Sequence, residues 1–457
     1  MSFWTKRLPL LPAHVVMMVV AALAFNIAIL LLSHFPAPKS LVGDEAYYYK
    51  IANAWAAGTP VEHILLWPPL YGNFMGIMFT VSGTTHRLMI QSVQIGLWLA
   101  NALLWYRIVQ RLLPSPFAAS AVLGLFLFSP DLIAFSHFLW PETLHLTFVF
   151  LALWLVVCCP PSRMAVCGAG VSCGLAWLTK LLLLPFIPLF VGVFLLCKMD
   201  VAWRQRMVTV GLFSGALAVT VLPTMIGNWR TYGQFIIADS SMFNLWVGLT
   251  DVALSDGDRR RLGDEMGEFF RAGPDWWSRS RAYEEKIVAL VRQQGVWTTF
   301  TQQLGRQYFR LFHYQSFFTT QLPGGTRVAY KLSEGALTRV IRLYSYGFHA
   351  VVLATSVLGL CFLRWRPWSW PHGFALFIAY NLGLFLFIHV KTRYMIQFLP
   401  MLMFFSGVAV HGLARRNEPA VFAPTSAFTV THTRLLVAAG LVILIELVAF
   451  REALSAW

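Results

Sequence analysis

Asp44 and Glu45 form an acidic pair a few residues past the first long apolar run, in Gly43-Asp44-Glu45-Ala46-Tyr47-Tyr48-Tyr49. Adjacent carboxylates near a bilayer are costly, so a pair at a membrane exit asks for a purpose. An ionised carboxylate there can accept a proton as a general base. It can equally cap a helix, because Asp before a helix accepts backbone N–H bonds and Glu in the first turn suits the helix dipole. The two roles are compatible, although capping lowers basicity. A second acid, Glu142, follows Pro141 in Trp140-Pro141-Glu142-Thr143, where both residue types also suit a helix start.

Three cations could meet an anionic group. Lys391 and Arg393 stand in Ile388-His389-Val390-Lys391-Thr392-Arg393-Tyr394, and Arg230 in Asn228-Trp229-Arg230-Thr231-Tyr232-Gly233. Arg suits bidentate phosphate binding, with interfacial snorkelling as its plain alternative. His63, His86, His137, His145, His313 and His389 include no pair at the spacing of a helical metal site. No DxD-type motif gathers carboxylates, so no cofactor is expected and a divalent ion is the less favoured reading. The six cysteines fall in apolar runs or at their inward ends, which argues against a disulfide framework.

The elements that must position these residues are membrane helices. The chain has 457 residues, 58% hydrophobic and 12% charged, with a mean hydropathy of +0.63, which excludes a disordered or ordinary soluble protein. Its net charge of +15 does not imply nucleic acid, because the basic residues sit in short loops between apolar runs. Runs at 11–32, 88–112, 117–128, 143–157, 165–178, 181–196, 208–226, 347–363, 373–388, 395–410 and 435–450 give about eleven crossings, some short enough to be half-spans. The first is too long, and lacks the cleavage site, for a removable signal peptide. With the N-terminus cytoplasmic, most loop Lys and Arg fall inside, and Asp44, Glu45, Glu142, Lys391 and Arg393 fall outside.

The expected fold is therefore all-α and polytopic, one membrane domain over 1–457 with two outward insertions, 34–86 and 228–346. In the first, Tyr47, Ile51, Ala54 and Trp55 share one face of a helix suited to the interface, and Pro68-Pro69 forbids a regular helix at those residues and fixes an extended stretch close to the membrane. In the second, Trp297, Phe300, Leu304, Tyr308 and Leu311 recur at helical spacing.

Several of these segments match a known pattern. Gly43-Asp44-Glu45-Ala46-Tyr47-Tyr48, Pro68-Pro69-Leu70-Tyr71-Gly72, Tyr106 to Arg111, Ser129-Pro130 through Pro141-Glu142-Thr143-Leu144, Asn228 to Phe235, and Lys391-Thr392-Arg393-Tyr394 with Pro400 occur in that order. Together they resemble the GT-C glycosyltransferases, most closely the branch of protein O-mannosyltransferases and lipid A aminoarabinose transferases. The resemblance runs from about residue 11 to about residue 410. It implies a GT-C-like bundle and a polyprenyl-phosphate-linked sugar donor, with inversion at the anomeric carbon. The acceptor would be a lipid, glycan or protein hydroxyl, and the active site would face outward from a bacterial inner membrane. The family's base would fall on Asp44. Glu142, the second catalytic residue, would orient the acceptor or assist Asp44, and Arg393, Lys391, Arg230 and Tyr48 would meet the donor phosphate. Glu45, His137 and Tyr394 stand as supporting residues. The chain departs from the aminoarabinose branch at Trp67, where that branch carries Lys before the double proline. The competing class is a flippase or transporter of a lipid-linked or anionic substrate, against which stand the clustering of acids on one face and the lack of internal repeats.

Overall fold

The computed structural model describes residues 11–32, 41, 43–59, 65–160, 162–181, 186, 202–250, 259–312, 336–364, 369–414 and 429–451. Most of the expected span 181–196 lies outside these residues, as do His63 and His313. Seventeen α-helices form the described chain. In order they are α1 Ala13–Leu32, α2 Glu45–Ala56, α3 Leu70–Ser82, α4 Arg87–Leu112, α5 Pro116–Leu127, α6 Pro130–His137, α7 Glu142–Val157, α8 Arg163–Thr179 and α9 Trp203–Tyr232. Between α9 and α14 stand α10 Ser241–Thr250, α11 Arg259–Arg271, α12 Trp276–Gln294 and α13 Val296–Arg306. The chain closes with α14 Ala336–Cys361, α15 Trp370–Leu384, α16 Leu399–Ala414 and α17 His432–Ala449.

Five helices are long and apolar enough to cross a membrane: Ala13–Leu31, Arg87–Leu112, Trp203–Tyr232, Val340–Cys361 and His432–Ala449. They answer to the five longest-lived expectations, the runs beginning at 11, 88, 208, 347 and 435. A sixth span results if α5 and α6, bent by 46° at the break before Pro130, count as one. The remaining expected crossings that fall among the described residues are shorter helices. The clearest case is α16, in which almost every residue from Leu399 to Gly412 is buried. An apolar run walled by other helices meets protein on all sides, so its composition reflects the core as much as the bilayer.

Buried amides on α4 fix the segment that leads into α7. Gln91 donates to the His137 carbonyl at 2.8 Å, Gln94 to Ser136 at 3.1 Å and Phe138 at 2.7 Å, and Asn101 to Thr143 at 3.0 Å. Tyr71 of α3 in turn donates to Gln94 Oε1 at 2.6 Å. A turn carrying free carbonyls is tolerated at this depth because side chains satisfy them.

The face of α2 that carries Tyr47, Ile51, Ala54 and Trp55 is only partly covered by protein, and Trp55 is 44% exposed. Tyr47 packs on Trp67 with ring centroids 4.4 Å apart, and Trp55 lies over Gly76 of α3, where a Cβ would come within 2.7 Å of it. Tyr48, Glu45 and Ala52 form the buried side of α2. A comparable close approach joins α14 to α16, where a Cβ on Gly359 would fall on the backbone carbonyl of Phe405. Gly359→Ala should therefore force these helices apart and cost about 1–3 kcal/mol through overpacking. The check is thermal unfolding in detergent, and an unchanged Tm would contradict the close crossing.

Candidate active site

Gly43 turns the chain with φ of 57°, a left-handed conformation that favours glycine, and delivers Asp44 to the start of α2. The Asp44 side chain makes no capping bond. Its Oδ2 accepts from Arg393 Nη2 at 3.0 Å instead, so the capping role allowed by the sequence is not the one the carboxylate takes. The pair is only partly exposed, 25% for Asp44 and 16% for Arg393. Arg393 comes from a 3₁₀ turn, Thr392–Gln397, that follows the end of α15. Its guanidinium also lies over the rings of Trp140 at 4.9 Å and Tyr394 at 5.5 Å, both within cation–π range.

A second ion pair stands beside the first. Glu142 Oε1 accepts from Lys180 Nζ at 2.9 Å, with Glu142 buried and Lys180 nearly so. Lys180 occupies the position that ends α8, and its ammonium sits 5.7 Å from the centre of the Tyr394 ring. Tyr394 thus links the two pairs, and its ring is itself stacked on Phe385 at 5.2 Å. Sequence reasoning did not select Lys180. The available signal was its position between two apolar runs on the outward side, the same signal that drew attention to Lys391 and Arg393.

Burial alone would raise the Asp44 carboxyl above the usual carboxylate range. Arg393 and then Lys391 outweigh it and hold the group below that range. Tyr48, buried under α2 and edge-on to Tyr71 at 5.0 Å, has its phenol pushed well up by burial and by the charges of Asp44 and Glu142. It therefore remains a proton donor.

Glu45 does more than favour a helix start. It is fully buried, and its Oε1 accepts from the Leu139 amide at 2.7 Å, tying α2 to the segment that carries Trp140 and Glu142. His137 belongs to a neighbouring network, with Nε2 2.6 Å from Asn26 Oδ1 on α1. Arg230 is exposed at the end of α9, and none of the described ion pairs or hydrogen bonds joins it to the cluster. Among the described residues no three His, Cys, Asp or Glu side chains come together as metal ligands. The cationic groups at the site are Arg393, Lys391 and Lys180.

No family model matches the chain, and no curated protein matches it. Several solved structures do. The Saccharomyces cerevisiae protein O-mannosyltransferase Pmt1-Pmt2 complex bound to the sugar donor is similar over 49% of this chain and 34% of its own, at 14% identity and a TM-score of 0.40. The oligosaccharyltransferase AglB of Archaeoglobus fulgidus, in complex with an inhibitory peptide and a dolichol-phosphate, is similar over 96% of this chain and 55% of its own, at 15% identity and a TM-score of 0.45. ArnT from Cupriavidus metallidurans bound to undecaprenyl phosphate is similar over 87% of this chain and 79% of its own, at 15% identity and a TM-score of 0.40. The chain thus spans between a third and about half of the first two proteins. The first is a protein O-mannosyltransferase, a kind of protein that the sequence motifs resemble.

The ion pair supplies a direct test of the site's construction. Arg393→Ala leaves a partly desolvated carboxylate without its hydrogen bond and should cost about 1–3 kcal/mol. Removing Asp44 as well should restore part of that loss, because the unpaired charge is then gone. A double-mutant cycle by thermal unfolding measures the coupling, and strictly additive losses would contradict it.

Proposed function

We propose that this chain is a membrane glycosyltransferase that moves a sugar from a polyprenyl-phosphate donor to an acceptor hydroxyl at the outer face of the membrane. The observation that carries this reading is the Asp44 carboxylate held 3.0 Å from Arg393 beside a second acid–base pair, Glu142 and Lys180. A base for a hydroxyl and a cluster of cations for a phosphate are the two things such a transfer needs.

The reaction is a single displacement with inversion. The acceptor oxygen attacks the anomeric carbon, its proton passes to Asp44, and the bond from that carbon to the phosphate oxygen breaks. Polyprenyl phosphate leaves with the electron pair and gains negative charge as it does so. Arg393 and Lys391 stabilise that charge, and Tyr48 donates to it. We assign Lys180, rather than Arg230, as the third cation, because it lies across Tyr394 from Arg393. Glu142 holds Lys180 in place and orients the acceptor.

The Asp44–Arg393 pair gives donor binding a second effect. A phosphate that draws Arg393 toward itself leaves Asp44 with a weaker counter-charge and so a stronger basicity. The base is then fully active only when the donor is seated.

Asp44→Asn should lower transfer by about 10²- to 10⁴-fold while leaving the fold intact, measured as radiolabelled sugar transfer from a panel of polyprenyl-phosphate sugars into native membranes. Turnover close to that of the unaltered protein would sink the assignment. Lys180→Ala, losing one charged contact to the phosphate, should lower kcat/KM for the donor by about 10- to 100-fold. The pH profile has a defined sign. Because the Asp44 carboxyl is held low, activity should persist into the ordinary carboxylate range and fall only as acid protonates the base. Arg393→Gln removes the largest charge holding it down, so the acid limb of its residual activity should move to higher pH. A limb that stays put would separate Asp44 from the titrating base.

A further inference from the structure

The helix α13 is built inside out. Its buried stripe is polar: Thr299, Gln303 and Gln307, the last just past its end, are each at most 3% exposed. Gln303 donates to the Ile388 carbonyl at 3.1 Å, and Gln307 donates to Val247 at 3.1 Å and Gly248 at 2.7 Å. These bonds fasten α13 to α10 and to the turn after α15. To one side of that stripe Trp297 is 75% exposed, and Val296, at the start of the helix, is 73% exposed. From Trp297 an aromatic ridge runs through Phe300, 6.1 Å away, to Phe387, a further 6.0 Å away and 55% exposed. No charged residue occurs between 296 and 305, in contrast to the charged faces of α11 and α12.

Large exposed aromatic surface without charge needs an occupant. The surroundings of the ridge identify it. Phe387 lies three residues past the outer end of α15. The chain leaving α13 passes through a 3₁₀ turn, Tyr308–Leu311, and is then held to a membrane-crossing helix, since His349 of α14 lies 2.9 Å from the Phe312 carbonyl. That 3₁₀ turn also packs against α17, another membrane-crossing helix. The ridge therefore belongs to a segment fastened to two membrane-crossing helices, α14 and α17. Trp229, Tyr232 and Phe235, exposed at the outer end of α9, mark the same kind of boundary.

We infer that the Trp297–Phe300–Phe387 ridge is seated in the outer leaflet, in the boundary between lipid headgroups and acyl chains. Aromatic side chains favour that depth, and an amphipathic helix lying there buries its apolar face in lipid. Through Gln303 and Ile388 the helix also sets the height of the turn that leads to Arg393. The ridge thus fixes the second insertion against the membrane as well as against the protein. This inference does not depend on the reaction proposed above.

The test uses the full-length protein in vesicles of phosphatidylethanolamine and phosphatidylglycerol, with a trace of radiolabelled phosphatidylethanolamine. p-Benzoylphenylalanine replaces Trp297 in one preparation and Glu285, on the charged surface of α12, in another. Both positions are exposed, so neither replacement burdens the fold. On irradiation, position 297 should take up labelled lipid and position 285 should not. Equal labelling at both positions, or none at 297, would overturn the inference. Cross-linking of position 297 to a protein or glycan in native membranes, without lipid adducts, would overturn it equally.

Discussion

The contact between Asp44 and Arg393 closes the molecule. It joins residues 349 positions apart and brings the start of α2 to the 3₁₀ turn before α16. Neither charge would be stable alone at its degree of burial, because a desolvated ion without a partner is strongly penalised. The elements around them act to make the pairing unavoidable. Gly43 sets the turn, the α2–α3 crossing fixes the helix that starts at Glu45, and Trp140 and Tyr394 lie along the guanidinium.

The same logic extends to the second pair. Glu142 is reached from a segment whose carbonyls are taken up by Gln91, Gln94 and Asn101, and whose Leu139 amide is taken up by Glu45. Polar residues in the middle of α4 would be a liability in lipid. Here they are the means by which an irregular turn is held rigid inside a helical bundle. Glu45 and Asp44, adjacent in sequence, therefore do different work. One points inward and locks the frame, and the other faces the site.

Much of this was legible in the residues. The long spans followed from length and hydropathy, and Asp44, Glu142 and Arg393 stood out because charge at a membrane exit is costly. What the sequence could not separate was a short span from a buried core helix, since both are apolar, as in α16. Nor could it reveal that Trp297 is exposed while Gln303 and Gln307 are buried, because periodicity gives a stripe without saying which side the protein covers. Lys180 was hidden by its place between two apolar runs, where a single Lys resembles an interfacial anchor. Trp67, which stands where the resembled branch has Lys, packs on Tyr47 and against the second insertion near Phe243. The cations that remain at the site come from other elements.

The central claim is that the donor phosphate takes Arg393 from Asp44. A cryo-electron microscopy structure of the protein with a bound polyprenyl phosphate would test it most directly. The phosphate should lie against the Arg393 guanidinium, with Lys180 or Lys391 beside it and the Asp44 carboxylate released toward the acceptor side. A phosphate bound elsewhere, with the Asp44–Arg393 pair still closed at its present 3.0 Å, would contradict it.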